Sequence, residues 1–398
     1  MKKYKVCIYA ICKNESKFIK RWYESIKGAD YICVLDTGSE DDSLEILKKL
    51  NIKVKQKVIK PWRFDVARNE SMKLIPKDAD ICICLDLDEI MLPGWKEELH
   101  KIWNDKITRI NYKYNWSLDE NNKPIISFYA NKIHKNGYYK WTHPVHEILT
   151  QLKEEFSLTT DNIIINHYPD STKSRSSYLP LLKLSIKEDP TDDRNMHYLG
   201  REYMYYGKWN ECIDTLIKHL SLPSATWKDE RCASMRFIAA SYIKLKRYDE
   251  ARMWLDKAMT EAPYLRDAFT ERMILEYNLK NYEESIKYGK KALKIKARVY
   301  SYINSEYSWN ETIYDIMSIN YYMIGNKKEG LKYLNKALKI NPNNDRIKNN
   351  KKYFTQKNSL WVFLLCIIND IIIYSKLGVD YMPSWLVHLA IAKKEIQN

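Results

Sequence analysis

The chain has 398 residues, of which 45% are hydrophobic, so its length suggests two or three domains with at least one sizeable core. Its 66 lysines and arginines exceed its 51 aspartates and glutamates, and the resulting net charge of +15 favours anionic partners such as nucleotides, phosphates or lipid. The eight cysteines include no CxxC pair, and no apolar stretch reaches the ~20 residues of a membrane span. The composition excludes a disulfide framework and indicates a cytoplasmic protein with reduced thiols.

Short apolar runs alternate with helical patterns through the first half of the chain. The first run lacks the long apolar region of a signal peptide and is predicted to be a strand. The βαβαβαβ order predicts a mostly parallel sheet with helices on both faces. In chain order, the predicted strands and helices are 4–12, 15–27, 31–39, 41–50, 52–59, 64–75 and 81–87.

From about residue 190 a different pattern begins, with small and aromatic residues at the positions of a 34-residue helix-turn-helix repeat. These positions resemble tetratricopeptide repeats. About four stacked units would form a solenoid whose surface typically binds a peptide or protein, or makes a dimer. The residues that carry the pattern are Gly200, Tyr203, Trp209, Leu216, Ala239, Tyr242, Tyr248, Ala251, Leu255, Ala258, Pro263, Tyr282, Ala292, Tyr321, Leu334, Ala337 and Pro342.

The C-terminal segment contains two apolar runs, the first of them interrupted by Asn369 and Asp370. One interpretation is a capping or dimer-forming helix pair. The other is a helix on the inner face of a membrane, with Trp361 and Trp385 at the interface and lysines beside acidic lipid. The pattern does not separate these two interpretations.

Acidic residues follow two of the predicted strands, at the edge where open α/β sheets bind ligands. Asp36 could accept the imide N–H of a uracil, although Asp-Thr-Gly also makes an ordinary turn. Asp86 and Asp88 are spaced to project similarly from a strand end and could share Mg²⁺ or Mn²⁺, with diphosphate oxygens and water completing the shell. The sequence therefore predicts a cation and phosphate site at this edge.

Two further groups of residues have both a structural and a functional interpretation. Arg68, early in a predicted helix, could form a surface ion pair or hold an anion. A lone histidine is more often structural than a ligand, but a cluster with an acidic residue downstream of the Asp-x-Asp pair favours a site. That cluster consists of His143, His146, Glu147 and His167.

Taken together, the segments AICKNES, LDTGSEDDS, WRFDVARN, LDLDEIMLPG, PVHE and NHYPDS resemble family 2 glycosyltransferases of GT-A fold, in order and rough spacing. A subgroup with C-terminal tetratricopeptide repeats includes lipooligosaccharide-core sugar transferases and the S-glycosyltransferases of bacteriocin peptides. The resemblance implies an α/β, Rossmann-like GT-A domain at 1–175, an all-α repeat domain at 176–350, and a capping, dimerisation or membrane-surface segment at 351–398.

The resemblance also implies roles for individual residues around a nucleotide-diphosphate sugar, with UDP favoured through the likeness alone. Asp36 corresponds to the acid that contacts the base, and Arg68 to the arginine near the diphosphate. Asp86 and Asp88 correspond to the D-x-D motif, with Asp88 the direct ligand of Mn²⁺ or Mg²⁺, and His167 closes the metal shell. The further donor contacts predicted from the matching motifs are Cys12, Asn14, Glu15 and Leu87.

Glu147 stands where the family places its catalytic base. The chain departs from the commoner Glu-Asp pair by having His-Glu there, so His146 could instead hold the metal or the acceptor.

The function that follows from the resemblance is an inverting, metal-dependent transfer of a hexose to a peptide, protein or glycan acceptor by a homodimer. The alternative is a repeat-based adaptor with a catalytically silent nucleotide-binding domain, which the presence of the carboxylates, Arg68 and the His-Glu pair disfavours. Nucleic-acid binding ranks last, because the lysines are scattered without a basic stripe.

Overall fold

A computed structural model describes residues 3–170, 172, 176–299 and 301–355. The chain divides into two compact units, Met1–Pro190 and Thr191–Asn398. The first unit thus extends beyond the predicted domain at 1–175. Both apolar runs predicted in the C-terminal segment lie outside the described residues.

The first unit contains the predicted alternation of strands and helices, followed by longer strands and a last helix. Its strands are β1 (Val6–Cys12), β2 (Tyr31–Asp36), β3 (Lys53–Gln56), β4 (Ile81–Cys84), β5 (Glu89–Met91), β6 (Arg109–Leu118), β7 (Pro124–Lys135), β8 (Tyr139–Thr142), β9 (Ile148–Gln151) and β10 (Ser157–His167). Its helices are α1 (Ser16–Ile26), α2 (Ser43–Lys49), α3 (Phe64–Met72), α4 (Trp95–Ile102) and α5 (Tyr178–Glu188).

The main sheet has the strand order β3-β2-β1-β4-β7-β6-β10-β5, and β8 pairs with β9 in a separate hairpin. The first four strands of this order are parallel, whereas β7 is antiparallel to both β4 and β6. Cys12 at the end of β1 lies opposite Asp36 at the end of β2. The α/β fold class is confirmed, and the parallel strands end at a common edge.

Both faces of the sheet are covered, which explains why its strands are continuous apolar runs. Along β1, Val6, Ile8 and Ala10 pack in the same core as α1, whereas Cys7 and Tyr9 face a second core that includes the β8–β9 hairpin. Successive residues of a strand point to opposite faces, so each needs an apolar side chain. The seven cysteines among the described residues are all buried, free thiols, as the composition predicts.

The second unit consists of helices that pack in consecutive pairs, α6 with α7, α8 with α9, α10 with α11 and α12 with α13. Their bounds are α6 (Asp193–Tyr205), α7 (Trp209–Ser221), α8 (Lys228–Lys244), α9 (Tyr248–Glu261), α10 (Asp267–Asn278), α11 (Tyr282–Lys294), α12 (Thr312–Met323), α13 (Lys327–Ile340) and α14 (Asp345–Thr355). These pairs confirm the all-α repeat architecture. None of the helices described is both long and apolar enough to cross a membrane.

Small residues of the repeat pattern stand where two helices of a pair approach closely. A Cβ atom at Gly200 of α6 would lie 2.4 Å from Cγ and Cδ2 of Leu216 on α7.

We expect Gly200→Ala to lower the free energy of unfolding by about 1–3 kcal/mol, because overpacking outweighs the better helix propensity of alanine. Chemical denaturation measures this, with Gly28→Ala as the control because nothing lies within 4 Å of a Cβ atom added there. Equal stability of Gly200→Ala and the wild type would contradict the assigned helix contact.

Candidate active site

The stretch after β4 carries apolar and acidic residues in alternation, and the structure separates them by burial. Leu85 and Leu87 belong to the buried core of the sheet. Asp86 and Asp88 keep about a quarter of their side-chain surface exposed, at 26% and 27%. The strand end therefore presents carboxylates at the ligand edge, and the Leu87 side chain lies in the core rather than at that edge.

Arg68 of α3 connects two of the predicted site carboxylates. Its Nη1 and Nη2 atoms donate to Oδ1 and Oδ2 of Asp86 at 2.7 and 3.1 Å, and its Nε donates to Oε1 of Glu147 at 2.5 Å. The Arg68 side chain is only 7% exposed, so this ion pair is buried and not on the surface. Although burial opposes the charged form, Asp86 and Glu147 hold the pKa of Arg68 well above its ordinary value.

Lys132 of β7 belongs to the same network and was not predicted from the sequence. Its Nζ atom lies 2.9 Å from Oδ2 of Asp86 and 3.0 Å from Oε1 of Glu89. Burial opposes ionisation of Asp86, but Arg68 and Lys132 together hold its pKa well below the usual range. Both oxygens of Asp86 thus accept from cationic side chains. A single lysine in an alternating strand gives no sequence signal for such a role.

Asp88 and His167 form a second pair. The Nε2 atom of His167 lies 3.4 Å from Oδ2 of Asp88. Its Nδ1 atom lies 3.0 Å from the Trp116 carbonyl oxygen, and the imidazole stacks on the Trp116 indole with ring centroids 4.5 Å apart. Because a carbonyl can only accept, Nδ1 carries a proton and the Nε2 atom faces Asp88.

This pair fits a hard divalent cation that is completed by substrate. One carboxylate and one imidazole suit Mn²⁺ or Mg²⁺ when phosphate oxygens and water supply the remaining ligands. Asp86 is already engaged by Arg68 and Lys132. Over the described ranges, no group of three His, Cys, Asp or Glu side chains converges as a complete protein-only metal site.

At the end of β2, one oxygen of Asp36 closes a turn, and the other has no partner in the part of the chain that the structure describes. The Oδ1 atom accepts from the backbone N–H groups of Gly38 and Ser39 at 3.1 Å and from the Gln56 side chain at 3.2 Å. The Oδ2 atom is buried, and no hydrogen-bond donor for it exists among the described residues. The ordinary-turn and base-contact interpretations are thus compatible, because each uses a different oxygen.

Hydrogen bonds connect the loop after β1 to the loop after β2. The Thr37 N–H donates to the Cys12 carbonyl at 2.8 Å, and the Asn14 side chain accepts from the Glu40 N–H at 2.8 Å. The Glu15 N–H donates to the hydroxyl of Ser43 at 2.7 Å. Burial raises the pKa of the Cys12 thiol to about 12, so it is not a reactive thiolate. These three predicted donor contacts therefore fix the shape of the loop beside Asp36.

The PVHE segment forms the turn of the β8–β9 hairpin and is held by α3. The Asn69 side chain donates to the Trp141 carbonyl at 2.8 Å and accepts from the Trp141 N–H at 2.9 Å. His143 and His146 both have positive φ angles, of 75° and 50°. The His146 ring meets Tyr178 of α5 at a centroid distance of 5.6 Å. Rigid attachment of this turn positions Glu147 against Arg68.

Residues 7–152 match the family model "Glycosyl transferase family 2", and residues 237–264 and 317–344 match the model of the tetratricopeptide repeat. The chain therefore combines a family 2 glycosyltransferase domain with tetratricopeptide repeats. A curated relative is an uncharacterized glycosyltransferase of Rickettsia conorii, 32% identical over 100 residues. That match covers 25% of this chain and 34% of the relative, so the chain spans about a third of the relative's length.

Solved structures similar to this chain include MamA, at 18% identity over 47% of this chain and 90% of MamA, with a TM-score of 0.34. Another is a thermophilic tetratricopeptide-repeat protein of Thermus thermophilus, at 17% identity over 45% of this chain and 91% of its own, with a TM-score of 0.33. The repeat architecture itself follows from the helix pairs and the family model.

Proposed function

We propose that the protein is an inverting, metal-dependent glycosyltransferase that moves a hexose from a nucleotide-diphosphate sugar, preferably UDP-linked, to a peptide, protein or glycan acceptor. The observation that carries this proposal is the set of carboxylates Asp36, Asp86 and Asp88 at the ends of β2 and β4 in a family 2 domain. A sugar nucleotide offers such an edge a base and a diphosphate, which together belong to the leaving group.

The donor would lie along this edge from its base to its diphosphate. The Oδ2 atom of Asp36, for which the described residues offer no donor, would accept the imide N–H of uracil, and this bond would satisfy a buried acceptor. Asp88 and His167 would hold Mn²⁺ or Mg²⁺, and the bound ion would supply positive charge to stabilise the diphosphate leaving group. Arg68 and Lys132 add two fixed positive charges next to Asp86.

Glu147 would act as the general base for the acceptor. Its Oε1 atom is held by Arg68, and Oε2 would take the proton from an attacking hydroxyl or thiol. Attack on the sugar face opposite the leaving group inverts the anomeric centre. His146 is the second candidate for the base, since it precedes Glu147 in the same turn.

The repeats would bind the acceptor or pair two subunits in a homodimer, since such surfaces usually bind peptides or proteins. A cytoplasmic location, with contact at the inner face of the membrane through the C-terminal segment, agrees with the sequence analysis. No contact with nucleic acid is proposed.

Binding of a panel of sugar nucleotides, with and without Mn²⁺, tests the donor assignment through the melting temperature, because a true ligand stabilises the folded state. We expect a selective rise with a uridine sugar that depends on Mn²⁺. No rise with any sugar nucleotide would contradict the proposal.

The variant Asp36→Asn separates base binding from folding. Asparagine keeps one oxygen, which can still accept from the N–H groups of Gly38 and Ser39 in the turn. Its N–H₂ group then takes the place of Oδ2, and because that group is a donor it cannot accept the uracil N–H. We expect about 10–100-fold weaker donor binding, as when a buried polar group loses its partner. Asp119→Asn is the matched control, because Asp119 makes a similar turn to Asn121 and Lys123 between β6 and β7. Equal donor affinity of Asp36→Asn and the wild type would mean that the uracil does not bind at Asp36.

A further inference from the structure

The connection between α11 and α12, residues 295–311, is long, and its described residues contain only one short 3-10 turn, Glu306–Ser308. Connections of this length with little regular structure are uncommon in compact domains and are usually functional. Its central residues, 301–308, lie against side chains of α8 and α10, two neighbouring helices of the repeats. We call residues 301–308 the groove segment.

Four charged side chains form the surface beneath the groove segment, and we call this surface the repeat groove. It consists of Glu230 and Arg236 on α8 and Asp267 and Glu271 on α10. The first three of these side chains are buried, although all four are charged residues that ordinarily face water. The groove segment contacts each of the four.

The repeat groove binds the backbone of the groove segment. The Arg236 Nη1 atom donates to the Ile303 carbonyl at 3.1 Å, and the Ser305 N–H donates to Oδ1 of Asp267 at 2.6 Å. The Arg236 Nη2 atom also donates to the Ser305 hydroxyl at 2.6 Å. Backbone groups exist in every peptide, and binding of this kind gives affinity for an extended chain whatever its origin.

Two tyrosines of the groove segment supply side-chain specificity. The Tyr302 hydroxyl donates to Oε2 of Glu230 at 2.7 Å, and the Tyr307 hydroxyl donates to Oε1 of Glu271 at 2.6 Å. A phenylalanine would fill the same space but would leave each carboxylate without this donor. A site built to bond a hydroxyl rejects the analogue that lacks it.

The arginine of the repeat groove pairs with two of the three carboxylates of the groove independently of the groove segment. Arg236 lies 2.5 Å from Oε1 of Glu271 and 3.8 Å from Oδ1 of Asp267, so these ion pairs persist when the segment leaves. Departure would expose these charged groups, which water solvates well. The apolar contacts of the segment are made by Ile303, which is buried, and by the Tyr302 ring, which packs against Trp227 at a centroid distance of 5.7 Å. The segment is therefore attached in the manner of a bound peptide.

We propose that residues 301–308 are an internal peptide ligand of the repeat groove, and that a partner protein can bind there in their place. The partner would offer an extended segment with two tyrosines five residues apart, an apolar residue directly after the first tyrosine and polar residues before the second, as in residues 302–307. Because the internal segment is tethered, it competes at an effective concentration near the millimolar range. The groove segment thus restrains partner binding. This inference does not depend on the proposed sugar transfer.

The direct test uses a fluorescent peptide of residues 298–311 and two full-length chains, the wild type and a chain with 301–308 replaced by a Gly-Ser linker of equal length. We expect the peptide to bind the replaced chain about 10–100-fold more tightly than the wild type. The peptide with Tyr302→Phe and Tyr307→Phe should bind at least about 10-fold more weakly. A scrambled peptide is the control. Equal binding to both chains, or none to a replaced chain that melts cooperatively, would overturn the proposal.

A second measurement uses the unmodified chain and so does not depend on the folding of a variant. Hydrogen exchange of the Ser305 amide reports how often its bond to Asp267 opens. We expect this amide to exchange at least about 100-fold faster than the central amides of α8 and α10, through local opening of the groove segment alone. Exchange at the same rate as those helices would make the segment a permanent part of the fold and overturn the proposal.

Discussion

Replacing Asp88 with alanine is expected to slow sugar transfer about 10³-fold, which corresponds to about 4 kcal/mol of transition-state stabilisation. Asp88 is the partly exposed carboxylate that faces His167, and both oxygens of Asp86 already accept from Arg68 and Lys132. Asp86 therefore cannot replace it without breaking the buried ion pairs. Initial rates of transfer at saturating donor and Mn²⁺ measure the effect.

Glu97→Ala is the control for Asp88→Ala, because Glu97 is an acidic residue on α4 of the same unit, next to Lys96, which donates to the Gly28 carbonyl before β2 begins. Slow hydrolysis of the sugar nucleotide without acceptor should fall in parallel with transfer. If Asp88→Ala kept near-normal transfer and hydrolysis, the metal assignment would be wrong. A wild-type chain without any metal-dependent hydrolysis would instead favour the catalytically silent adaptor.

Glu147→Gln is expected to leave donor affinity within about twofold of the wild type while lowering transfer by about 10²–10⁴-fold, the usual contribution of a general base. Glutamine keeps an oxygen that can accept from Nε of Arg68, so the Arg68–Asp86 pair should stay in place. What glutamine removes is the ability to take a proton. Donor titration and single-turnover transfer by the same preparation separate the two quantities.

His146→Gln is the matched comparison for Glu147→Gln, because it changes the neighbouring residue of the same turn. We expect a smaller loss of transfer for His146→Gln than for Glu147→Gln. Normal transfer by Glu147→Gln together with a large loss of transfer in His146→Gln would identify His146 as the general base.

The order of strands and helices around the site was predictable because it depends on local periodicity. The alternation of Leu85 and Leu87 with Asp86 and Asp88 places the leucines in the core and the carboxylates at the edge, and a period of two is visible in the sequence. The small residues of the repeats were equally visible, since close helix packing requires them.

The partners of the carboxylates could not be predicted, because they depend on long-range topology. Lys132 reaches Asp86 only because β7 enters the sheet antiparallel to β4. Arg68 reaches Glu147 only because α3 holds the β8–β9 hairpin through Asn69. Likewise, nothing local in residues 301–308 indicates that they lie across α8 and α10.

Anomalous diffraction from crystals grown with Mn²⁺ and a uridine sugar nucleotide would locate the cation that the acidic end of β4 is proposed to bind together with a diphosphate. We expect one manganese peak bonded to the Asp88 carboxylate, with diphosphate oxygens in its shell and the uracil at Asp36. Manganese and nucleotide that both bind away from residues 86–88 would contradict it.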